Sequence, residues 1–116
     1  MAIDNWNQAK QEAKNILIKR AELRSMITYS DLAGEITSIQ FEAHDPRLFK
    51  LLADVSLDED AEGRGMLSVI VVHKSGDKQP GDGFFELAEK LGRDTTETMN
   101  CWVKELKKVY AYWSNQ

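Results

Sequence analysis

Cysteine is nearly missing from this chain: Cys101 is the only one, so no internal disulfide can form, which fits a reducing compartment. A signal peptide is not expected either, because Met1-Ala2-Ile3-Asp4-Asn5-Trp6 offers neither a basic start nor an apolar stretch. The longest aliphatic run, Val69-Ile70-Val71-Val72, falls far short of a bilayer. These absences predict a cytoplasmic protein with no membrane partner. An excess of positive charge is lacking too. With 15 Lys and Arg against 19 Asp and Glu, the net charge of −4 argues against a general grip on nucleic acid or anionic membrane. Metal chemistry lacks its ligands: there are two histidines, no HExxH and no CxxC. The run Asp58-Glu59-Asp60-Ala61-Glu62 lacks the central glycine of a calcium loop. No metal and no cofactor is expected.

What is present reads as one domain of 116 residues. Trp6, Ala9, Ala13, Ile16, Leu17 and Leu23 recur at helical steps, predicting a long helix over 4–25 with Asp4 as its cap. Residues 26–29 read as a short strand. Thr28 or Ser30 then caps a helix over 31–36. Asp45 followed by Pro46 is a strong helix start, and Leu48, Phe49, Leu51, Leu52 and Val55 give that helix its apolar face. Ser56 with Glu59 has the spacing of a capping box, predicting a further short helix. Gly63-Arg64-Gly65 breaks the pattern.

The β-branched run within 66–74 predicts a strand buried on both faces, and 75–83 a loop of turn formers. Helices are expected over 84–91, stopped by Gly92, and from Thr95 or Thr96 to Trp113. The expected fold is α+β, mostly helical: a winged-helix-like single domain with long N- and C-terminal helices. The order helix, strand, helix, helix, strand, loop is that of a winged helix, with 74–83 as the wing.

Two resemblances follow from quoted segments. Thr28-Tyr29-Ser30-Asp31-Leu32-Ala33 resembles the TYGxLA opening of the helix-turn-helix in DNA alkyltransferases and alkyltransferase-like proteins. That family carries a Pro-Cys-His-Arg segment after its recognition helix. Here 66–74 has no Pro-Cys or Pro-Trp pair, so alkyl transfer is not carried over. Residues 66–93, with Tyr110-Ala111-Tyr112-Trp113, are similar to a family of small bacterial proteins with an MLSxxVV…PGxGFFELAxxLGR core. The likeness spans about half the chain and implies a shared fold but no chemistry.

Candidate catalytic sets dissolve one by one. Ser68, His73 and Asp77 or Asp82 supply triad residue types, yet five positions apart on a strand Ser68 and His73 face opposite ways, and no GxSxG elbow exists. Lys74 lacks the carboxylate two residues earlier that a metal-dependent nuclease needs, since Val72 stands there. Cys101, beside Trp102, reads as a structural thiol. Pro80-Gly81-Asp82-Gly83 reads as a turn, with Asp82 opposing any anion.

An enzyme is therefore not expected. Candidate nucleic-acid contacts are Arg47, Lys50, Arg64, Lys74 and Lys78, but Asp54, Asp58, Glu59, Asp60 and Glu62 would repel phosphates. The same five carboxylates, with Tyr112, form the expected surface for a protein partner. Tyr110 and Trp113 fall on the core stripe near Trp6. The expected function is a non-catalytic protein-interaction module of a bacterial cytoplasm; the alternative is a DNA-associated winged-helix protein of alkyltransferase-like descent.

Overall fold

Local caps set the helix starts at two of the places where the sequence asks for them. Thr28, extended at φ −81°, accepts the Asp31 N–H at 3.1 Å and opens α2 (Tyr29–Glu35). Asp45 accepts the Arg47 N–H at 2.9 Å and, with Pro46 in the first turn, opens α3 (Pro46–Ala61). The computed structural model describes residues 2–42, 44–74 and 80–114. Around these two helices lie α1 (Ala2–Glu22), β1 (Ile27–Thr28), β2 (Val71–Val72), α4 (Asp82–Lys90) and α5 (Thr98–Ser114). The fold is mostly helical, with one small sheet in which β1 and β2 run parallel, Ile27 opposite Val71 and Thr28 opposite Val72.

Several boundaries differ from the sequence reading. Helix α1 already begins at Ala2, ahead of the expected cap at Asp4. Helix α3 runs unbroken through Ser56 and Glu59, so no new helix opens there. Both residues are fully buried and spend their polar groups on distant partners instead. Most of the expected strand over 66–74 is a 3₁₀ helix, Leu67–Ile70, leaving only two residues of β2.

Burial of that segment was rightly legible, since every residue from Met66 to Val72 is buried. Its conformation follows from where its backbone groups find partners. Glu105 accepts the Met66 N–H at 2.7 Å, Ser56 accepts the Ser68 N–H at 3.0 Å, and Val69 N–H closes a turn onto Met66. Trp102 Nε1 donates to the Val69 carbonyl at 3.0 Å. With side chains serving these groups, a short 3₁₀ turn satisfies the chain without a neighbouring strand.

The core gathers about that turn. Ala9, Ala13, Leu17 and Ala21 bring α1 against it with no exposed area, and α3 contributes Leu48, Leu51 and Val55. Gly65 is required where the chain enters. It sits at φ +92°, and a Cβ there would lie 3.0 Å from Val109 Cγ2 and 3.2 Å from Glu105 Oε2.

Candidate functional site

The two ends of the chain's central segment, Ser68 and His73, line one cavity of about 530 Å3 between α2, α3 and α4. The sequence reading placed them on opposite faces of a continuous strand. The 3₁₀ helix turns the backbone between them, so strand alternation does not apply and both reach the same space. Apolar walls come from Phe49, Leu52 and Ala53 of α3 and from Phe84 and Leu87 of α4. Lys50 and Asp82 stand among the lining residues as opposite charges.

Tyr29 organises one wall. It opens α2 and is only 7% exposed, with its ring edge-on to Phe49 at 5.4 Å and tilted against His73 at 5.0 Å. Its hydroxyl oxygen accepts the Gly81 N–H at 3.0 Å. Burial raises the phenol above its ordinary range, more than the Gly81 bond lowers it, so the hydroxyl keeps its proton as a donor. Gly81, with no side chain, leaves this approach uncrowded. A Cβ there would stand 3.3 Å from His73 Nε2 and 3.4 Å from Tyr29 Oη.

Ser68 forms the floor. Ser56 Oγ accepts the Ser68 N–H and donates to Ser68 Oγ at 2.7 Å. Ser68 therefore accepts through its oxygen and retains its own proton. Among the described residues neither the Ser68 nor the Tyr29 hydroxyl proton meets an acceptor, and the His73 ring makes no hydrogen bond. Ser68 Oγ is engaged by Ser56 rather than by His73, so the pair does not form a nucleophile with its base. What the cavity presents is recognition chemistry: two hydroxyl donors and an imidazole set in an apolar wall.

The expected acidic partner surface is largely spent inside the molecule. Glu59 has no exposed area and must be removed from that surface. It meets Arg64 at 2.6 Å and Lys14 at 3.4 Å. Burial alone would raise its pKa, but Arg64 and Lys14 outweigh it and the net shift is downward. Asp58 pairs with Lys10, Asp60 with Arg93, and Asp54 stands 3.8 Å from Lys50. Glu62 is exposed at the C-terminal end of α3. Tyr112 is 36% exposed, edge-on to Trp113.

Of the candidate nucleic-acid contacts, the two arginines already have partners. Arg47 turns back to Asp45 and the Gln40 carbonyl and covers the Phe41 ring at 5.3 Å. Arg64 is held by Glu59, Lys50 lines the cavity, and Lys74 is exposed. Lys78, like Asp77, lies outside the described residues.

Sequence reasoning missed Phe49, Tyr29 and Gly81 as members of a site. Phe49 carried a signal in being one apolar residue too many for the inward stripe of α3, and it is 40% exposed. Among the described residues no group of three or more His, Cys, Asp or Glu is placed to hold a metal, and no helix is long and apolar enough to cross a membrane. No protein family, no curated protein and no solved structure matches the chain.

Proposed function

We propose that the protein is a non-catalytic interaction module of the bacterial cytoplasm, and that it engages a protein partner at the cavity beside α3 rather than on its acidic residues. The cavity itself carries this reading: apolar walls, unspent donors on its floor and a half-exposed aromatic, Phe49, at its side. Support for binding over catalysis comes from the hydroxyl of Ser68, which is tied to Ser56, and from the thiol of Cys101. That thiol is buried on α5 and its pKa is raised, chiefly by burial, which keeps it protonated and unreactive.

A winged-helix origin of the frame belongs to the same proposal. It is supported by the order α1, β1, α2, α3, β2. Residues 75–79, half of the expected wing, lie outside the described residues. A duplex-binding role has less support, because Arg47 and Arg64 already have carboxylate partners.

The test places a photo-crosslinking benzoylphenylalanine at position 49 in the full chain, expressed in a bacterial host. The expected result is a light-dependent adduct with one defined protein, lost when Ala53→Trp fills the cavity. An adduct indifferent to Ala53→Trp, or no adduct, would overturn the cavity as the docking site.

A further inference from the structure

Resting on that reading, we propose that the cavity is a receptor for a phenol ring, presented by the partner protein as a tyrosine side chain. Its volume of about 530 Å3 is within the size range of ligand pockets and takes an aromatic side chain with part of its backbone. Tyr29, Phe49 and Phe84 provide ring surfaces, and Tyr29 and Phe49 already meet edge to face, the arrangement a further ring would extend.

The polar groups select among aromatic ligands. A bare benzene ring would seal the Tyr29 and Ser68 hydroxyl protons away from water with no acceptor, which costs more than the ring's burial of the same area suggests. A carboxylate would also satisfy the donors, but Lys50 and Asp82 together leave the lining without a net positive charge to offset burying an anion. A phenol oxygen is neutral and accepts from the hydroxyl donors. Its own proton has a candidate acceptor in a ring nitrogen of His73, which has no other hydrogen bond among the described residues. A phenol oxygen can thus accept from a lining hydroxyl and donate in turn to a lining acceptor. Water displaced from such a floor must be replaced by a group making the same bonds, and a phenol does so.

The experiment titrates the 15N-labelled full chain with 4-methylphenol, toluene, N-acetyl-tyrosinamide and N-acetyl-phenylalaninamide, following amide shifts. Binding is expected to shift residues around Tyr29, Ser68, His73 and Phe84. Each phenol should bind about fivefold tighter than its unhydroxylated counterpart, the worth of one net hydrogen bond. Ser68→Ala and Tyr29→Phe should each shrink that ratio towards one. Should both variants lose their folded spectra, the wild-type ratios decide alone.

Equal affinity for toluene and 4-methylphenol, or shifts away from the cavity, would overturn the phenol site. Binding of 4-methylphenol without N-acetyl-tyrosinamide would overturn the tyrosine and leave a site for small phenols, and the protein-partner reading would fall with it. No binding by any probe, alongside a position-49 adduct sensitive to Ala53→Trp, would overturn the phenol chemistry while sparing the interaction reading.

Discussion

Glu105 on α5 receives Arg93 in a two-point grip, Nε at 3.1 Å and Nη2 at 3.0 Å, although twelve positions separate them. The same carboxylate accepts the buried Met66 N–H at 2.7 Å, and Arg93 reaches on to Asp60 of α3. One ion cluster therefore ties α5, the end of α4, α3 and the start of the 3₁₀ helix. Each partner's charge is stabilised where an isolated one would be costly.

Removing Glu105 should be severe. Glu105→Ala leaves the Met66 N–H without its acceptor and Arg93 with half its partners, and is expected to cost about 3 kcal/mol. Glu105→Gln keeps an acceptor for Met66 and should cost less. Urea unfolding followed by circular dichroism measures both; equal stability of Glu105→Ala and wild type would show that the cluster contributes nothing net.

Acid should loosen the contact between α1 and the segment after α2. Glu12 accepts hydrogen bonds from the Ser38 hydroxyl, the Thr37 hydroxyl and both their N–H groups, which hold its pKa down at about 2. A depressed folded-state pKa contributes stability that is complete above the unfolded value, the ordinary 4.5, and is lost as pH falls towards 2. Thermal midpoints should therefore drop between about pH 5 and pH 2, and Glu12→Gln should remove part of that slope. An unchanged slope in the variant would contradict the assignment.

Cys101 should be silent in the native protein. It is 3% exposed, and burial, helped by nearby Glu105, pushes its thiol up, so little thiolate forms at neutral pH. Reaction with 5,5′-dithiobis(2-nitrobenzoate) is expected to be slow in buffer and rapid in urea. Comparable rates in both would mean that the terminal helix opens readily.

Duplex DNA should bind weakly. Arg47 and Arg64, the two arginines of the candidate contact set, are already engaged by Asp45 and Glu59, and the net charge of the chain is −4. A low-salt electrophoretic shift is expected to be faint and unaltered by Arg47→Glu with Lys50→Glu. A tight, salt-sensitive shift abolished by those changes would restore the nucleic-acid reading and sink the docking proposal.

The starts of α2 and α3 and most of the inward faces of α1 and α5 were written in the sequence itself. Leu23, expected on the α1 stripe, instead lies past the end of that helix and is 76% exposed. Thr28 and Asp45 act on N–H groups two or three residues ahead, and helical spacing alone decides that Ala13, Leu17 and Val109 face one way. The acidic run of α3 and the pair Ser68 and His73 could not be read so. Glu59 became a buried ion partner and Asp60 a partly buried one because Lys14 and Arg93 arrive from elements far off in the chain. Ser68 turned towards His73's cavity because Ser56 and Glu105 supplied its backbone surroundings with hydrogen bonds that a strand would otherwise have sought. Local propensity sees neighbours within a turn, whereas a buried charge or a free backbone amide takes whichever partner the packed chain brings within 3 Å.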